Sequence, residues 1–165
     1  MRILLILFLL MSCNDKTVAK TEPEDKIQLR TLLSQFNESW KVTYITLYSS
    51  EQDSVEGEKP TQKPEFFYKD FELLSKSEIK YDDFLLLNQK MLDMVADEYM
   101  VAECFYPRHG FILENDSKKV QILICFECSR IRFSPGSERD IPIEGKRDVF
   151  DNIAKKYGMK VAFPK

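Results

Sequence analysis

Apolar positions recur along this chain with two different periods. Leu29, Leu32, Leu33, Phe36 and Trp40 fall at helical spacing and predict one amphipathic helix over 27–40, with Trp40 as part of the core stripe. Residues 41–49, rich in β-branched and aromatic side chains, predict a strand, and 66–76 predict a second. Phe84, Leu87, Met91, Leu92 and Val95 line one face of a helix over 82–96, which Asp82 or Asp83 is placed to cap. Met91 and Met94 read as gap-filling core. Strands are predicted over 99–105, 109–114 and 120–127, the last two joined by the turn-forming run Asn115–Lys119. A final helix over 146–157 turns Val149, Phe150, Ile153 and Ala154 inward, and Gly158 sits where a C-cap glycine belongs. The order helix, strand, strand, helix, three strands, helix predicts an α+β domain: a mainly antiparallel sheet of about five strands with about three helices packed against it.

Two polar stretches interrupt this pattern. Residues 50–65 carry two prolines and a glycine and read as a long mobile loop. Residues 14–26 hold only two lone apolar side chains, and read as a flexible tether. The composition is otherwise that of a globular protein, 44% hydrophobic and 31% charged in 165 residues, which is one domain's worth of chain. The mild net charge of −3 gives no electrostatic case for a nucleic-acid partner.

The first thirteen residues, MRILLILFLLMSC, place one positive charge at Arg2 before an unbroken apolar run from Ile3 to Met11. That run is shorter than the roughly 20 residues a spanning helix needs and fits the hydrophobic part of a signal peptide. Leu10-Met11-Ser12-Cys13 resembles the lipobox of bacterial lipoproteins. The resemblance implies cleavage before Cys13 and acylation of Cys13, palmitate being the usual kind of chain, so that the lipid holds the protein at the membrane of the cell envelope. It leaves the choice between inner and outer membrane open. The expected organisation is a signal peptide at 1–12, lipidated Cys13 with its tether at 13–26, and a single α+β domain at 27–165.

Candidate chemistry concentrates between Cys104 and Cys128, which hold the only histidine, His109, and every cysteine except Cys13. With the second hairpin centred on Ser117, His109 lies opposite Cys125, and a turn centred between Tyr106 and Pro107 brings Cys104 opposite His109. Cys104, His109, Cys125 and Cys128 then form a possible zinc set of three thiolates and one imidazole. Against it, Pro107 more naturally occupies the first central position of its turn, which shifts that register. Cys125 and Cys128 in one continuous strand would also point to opposite faces, about 10 Å apart at Cα, too far for a shared metal or a disulfide without a knuckle or bulge. Three readings stay open: a soft metal such as zinc, a disulfide with one free thiol, and buried unreactive thiols. A thioredoxin-like redox use of the CxxC is disfavoured, because that chemistry places the motif at a helix start. A Cys–His nucleophilic pair has no evident orienting third group. His109 reads as a hairpin residue near the surface, and Arg108 as a solvated turn residue or an anion contact.

Cys104-Phe-Tyr-Pro107-Arg108-His109-Gly110 with Ile124-Cys125-Phe126-Glu127-Cys128 resembles a pattern in a family of small uncharacterised bacterial proteins, some of them exported. The resemblance covers the central third of the domain and implies no activity. The expectation is a membrane-anchored envelope lipoprotein acting as a non-enzymatic binding or assembly module, with an envelope protein as partner and the Cys/His cluster as a structural element. Two alternatives are a thiol- or zinc-dependent envelope enzyme using the four residues, and a periplasmic inhibitor or immunity-type protein. The chain has no Gly-rich phosphate loop, HExxH or GxSxG motif.

Overall fold

The computed structural model describes residues 22–49, 53–54, 71–96, 105–134 and 140–164. The lipobox, Cys13, Cys104, nearly all of the loop at 50–65 and most of the strand expected over 99–105 lie outside the described residues.

Among the described residues the main sheet is antiparallel throughout and has six strands. It contains β1 (Lys41–Tyr48), β3 (Glu72–Glu78), β4 (His109–Glu114), β5 (Lys119–Cys125), β6 (Arg130–Ser134) and β7 (Ile141–Pro142), in the spatial order β3-β1-β4-β5-β6-β7. Two short strands, β2 (Asp53–Ser54) and β8 (Phe163–Pro164), pair separately. Among the described residues three helices complete the α+β fold: α1 (Glu24–Leu33), α2 (Tyr81–Met94) and α3 (Asp148–Lys156).

The sheet separates two apolar clusters. Alternate residues of β1, β4, β5 and β6 (Val42, Tyr44, Phe111, Leu113, Ile122, Ile124, Ile131 and Phe133) pack with Leu29 and Leu33 of α1, Phe84, Leu87 and Met91 of α2, and Phe150 and Ile153 of α3. The other parity (Ile45, Leu47, Ile112 and Leu123) packs with Phe71 and Leu73 and is flanked by Phe105 and Tyr106. The two-residue period of each strand sorts these side chains to opposite faces.

Several element boundaries differ from the sequence pattern. α1 begins at Glu24, inside the stretch expected to be tether, with Glu24 and Asp25 in its first turn. It stops at Leu33, and Asn37 Oδ1 then accepts the Ser39 amide at 3.0 Å, a local bond that competes with helix. Phe36 and Trp40 therefore lie beyond the helix, their rings edge-to-face at 4.8 Å. In α2 neither aspartate caps. Lys80 is the N-cap residue, and Asp82 and Asp83 sit in the first turn, where carboxylates meet the positive end of the helix dipole. Gly158 follows α3 with φ of 66°, as a C-cap glycine should.

Two strands that the periodicity joined are separate. The run from 120 past 127 breaks after Cys125, and β6 starts at Arg130 and returns antiparallel, pairing Cys125 with Arg130. The four residues between form a tight turn closed by the Ser129 amide donating to the Phe126 carbonyl at 3.2 Å, with Ser129 at φ of 53°.

Candidate functional site

The β4–β5 register is one residue away from the sequence expectation. Asn115 Oδ1 accepts the Ser117 and Lys118 amides at 3.0 and 2.8 Å, and this closes a four-residue loop between Glu114 and Lys119. His109 consequently lies opposite Ile124, not Cys125. A one-residue slip exchanges faces. His109 joins Tyr44, Phe111 and Ile124 on the helix-covered side, and Cys125 is on the opposite parity with Leu123.

His109 is fully buried, so it is not the near-surface hairpin residue that the sequence suggested. Its Nδ1 stands 2.7 Å from the Tyr44 hydroxyl, and its Nε2 stands 3.1 Å from Asp151 Oδ1 on α3. Burial holds the imidazole below its ordinary value, against the opposing pull of the Asp151 carboxylate. The Tyr44 hydroxyl donates its proton to the Phe150 carbonyl at 3.1 Å, so its oxygen faces Nδ1 while the Asp151 carboxylate faces Nε2. Burial likewise raises the Tyr44 phenol well above its usual range.

A string of charges continues from Asp151. Arg147 Nε donates to both Asp151 oxygens at 3.0 and 3.1 Å, and Arg147 Nη2 donates to the Ala162 carbonyl at 2.6 Å. Glu127, in the β5–β6 turn, lies between Arg147 at 3.8 Å and Arg108 Nη1 at 2.5 Å. The Arg108 guanidinium also donates from Nε to Asp53 at 2.8 Å, and Asp53 in turn accepts the Ser49 amide at 2.7 Å. Burial pushes the Asp151 carboxyl up, but hydrogen bonds from His109 and Arg147 outweigh it and hold the group below its ordinary value.

These contacts correct two expectations. Arg108 is buried between Asp53 and Glu127, so its guanidinium answers internal carboxylates and is not a solvated or anion-binding turn arginine. Cys125 and Cys128 form a disulfide with Cα atoms 5.3 Å apart, because the turn after Cys125 removes the strand geometry that would hold them near 10 Å. Oxidised sulfurs offer no thiolate to a metal. The zinc set of Cys104, His109, Cys125 and Cys128 is therefore not assembled from its described members, and no group of three metal-ligating side chains occurs among the described residues.

The CxxC turn is nevertheless tied to His109. The Phe126 ring meets the imidazole edge-to-face at 5.7 Å and Phe150 at 5.2 Å. The Tyr106 amide donates to the Cys125 and Cys128 sulfurs at 3.3 and 3.2 Å, and the Cys128 amide donates to the Cys125 sulfur at 3.0 Å. Sequence reasoning missed Tyr44, Asp151, Arg147, Glu127 and Asp53. Each is separated from His109 by a long stretch of chain or by a turn that was not foreseen. Only the i,i+4 pair of Arg147 and Asp151 left a local signal.

Two clefts, of about 290 and 370 Å3, are lined by other residues: the first by Lys155, Lys160 and Phe163 among others, the second by Lys41, Lys76, Glu78 and their neighbours on the sheet. Comparison with known proteins finds no matching family model, no matching curated protein and no matching solved structure.

Proposed function

We propose that this chain is a membrane-anchored envelope lipoprotein whose α+β domain is a non-enzymatic binding or assembly module, with the His109 string and the Cys125–Cys128 bridge as its internal frame. One observation supports this reading above the others: the chemically capable side chains of the PRHG…CFEC stretch are turned on one another. His109 addresses Tyr44 and Asp151, Arg108 addresses Asp53 and Glu127, and the two sulfurs address each other. A catalytic imidazole or thiolate has to meet its substrate, and a fully buried ring with both nitrogens facing protein groups does not. The anchor is argued from Leu10-Met11-Ser12-Cys13 alone.

The test has two arms. Metabolic labelling with palmitate and membrane fractionation should find the wild-type chain labelled and in the pellet, and Cys13→Ser unlabelled and released. For the module, His109→Gln should reduce recovery of a cross-linked envelope partner only in proportion to its loss of folded protein. A variant that folds like wild type by circular dichroism yet recovers no partner would overturn the structural role of His109.

A further inference from the structure

We propose that the Cys125–Cys128 disulfide is a reversible latch, whose reduction by a dithiol releases the β5–β6 turn and opens the His109 pocket to solvent. The bridge closes a turn whose two central residues both reach into the buried string. Phe126 covers the imidazole and touches Phe150, and Glu127 joins Arg108 to Arg147, the residue that holds Asp151. His109 is sealed by Tyr44 from β1, Asp151, Arg147 and Phe150 from the α3 region, and Phe126 from the turn. Of these, Phe126 alone belongs to the loop that the disulfide closes.

Besides the bridge, the turn is held by the Ser129 amide on the Phe126 carbonyl, the Ile143 amide on the Ser129 carbonyl and the Glu127 ion pairs, but its own residues do not favour a turn. It contains no glycine, proline or asparagine, and it places a non-glycine residue, Ser129, at φ of 53°. That conformation is disfavoured for an L side chain and persists when its surroundings enforce it. The covalent link between Cys125 and Cys128 is the strongest such constraint, with the Tyr106 and Cys128 N–H groups bonding to its sulfurs. When it is broken, the turn is free to relax, and Phe126 and Glu127 move with it.

The chemistry balances as thiol–disulfide exchange. A thiolate of the dithiol attacks the Cys128 sulfur, the S–S bond breaks, and Cys125 leaves as thiolate. The second thiol of the reductant then displaces Cys128, so the dithiol ends as a disulfide while Cys125 and Cys128 take up two electrons and two protons. Both cysteines are buried, so attack requires a prior local opening, and the Glu127 contacts oppose it.

The experiment uses the full chain in detergent, oxidised or reduced with dithiothreitol and alkylated, then treated with diethyl pyrocarbonate. The chain has one histidine, so hydroxylamine-reversible carbethoxylation of the peptide containing it reports His109. The latch predicts a rate at least about tenfold higher in the reduced chain, as expected when a closed segment begins to open locally. It also predicts that Glu127→Gln speeds reduction of the bridge about tenfold, the effect of weakening one charge-assisted contact. Equal His109 reactivity in the two forms would overturn the proposal, as would purified chain in which both thiols are free. Loss of the far-ultraviolet circular dichroism spectrum on reduction would also overturn it, since the bridge would then hold the whole fold and not one turn. The Cys125→Ser, Cys128→Ser double variant should match the reduced chain in reactivity. If that variant does not fold, chemical reduction still decides the question.

Discussion

The Tyr44 hydroxyl and His109 Nδ1 meet at 2.7 Å inside the helix-covered face of the sheet, joining two strands whose residues are 65 positions apart in sequence. Both side chains are buried, so neither has water as a substitute partner. Tyr44→Phe keeps the ring stacked on Phe111, whose centroid is 4.9 Å away, but removes the hydroxyl that meets His109 Nδ1 and donates to the Phe150 carbonyl. It should cost about 1–3 kcal/mol, the penalty for an unsatisfied buried acceptor, read from the urea midpoint at pH 8.

The same imidazole sets an acid limit on stability. Its folded-state value lies below the ordinary 6.5 because burial disfavours the charged ring. The unfolded chain therefore takes up the proton first as pH falls. The contribution is fully present above about 6.5 and is lost progressively below it. Urea titrations of wild type between pH 7.5 and 5 should show that decline, and His109→Gln should flatten it. An unchanged slope in the variant would remove His109 as the cause. Asp140, raised by burial but held lower overall by hydrogen bonds from Arg132 and Arg130, adds a second loss below its ordinary 3.8.

Arg108 and Asp53 form an ion pair with almost no solvent exposure on either side. Removing one partner strands the other charge. Arg108→Ala and Asp53→Ala should each destabilise by about 3–5 kcal/mol, and the double variant by much less than the sum. Thermal denaturation of the four proteins gives the coupling directly; additive losses would mean that the pair is not energetically linked.

Gly110, between His109 and Phe111, is needed for close approach and not for a special backbone angle. A Cβ there would stand 2.7 Å from the Ile122 carbonyl oxygen and 2.9 Å from a Leu123 methyl. The first contact is backbone of the paired strand, so the ladder itself has to move. Gly110→Ala should cost about 1–3 kcal/mol in thermal stability, as other overpacked interiors do.

The architecture was legible where burial follows a clean period. β4 begins and ends where its alternation says, α2 buries Phe84, Leu87 and Met91 as spaced, and α3 buries Phe150, Ile153 and Ala154. Errors arose where a short local bond decided the outcome. Asn115 and its side chain-to-backbone bonds moved the hairpin by one residue, enough to put His109 and Cys125 on different faces. At 126–129 the residues Phe, Glu, Cys and Ser gave no turn signal, so β5 and β6 looked continuous and the two cysteines looked too far apart to bridge without a bulge. The site was legible only as a concentration of unusual residues. The partners of His109 and Arg108 come from β1, β2, the β5–β6 turn and α3, and no pattern along one strand predicts what another element brings to it.

The strand order also governs how the chain can assemble. β4, β5, β6 and β7 are neighbours in sequence and in space, so each pairing closes a short loop. β1 is made first but pairs with β4 across the whole of β3 and α2, and Tyr44 bonds as far away as the Phe150 carbonyl, 106 positions on. Loop-closure entropy therefore favours the meander as the early structure and delays docking of β1. Until that docking, His109 has its ring in place without the Tyr44 hydroxyl beside it, and the N-terminal third of the domain waits, through synthesis, for the C-terminal helix that completes its core.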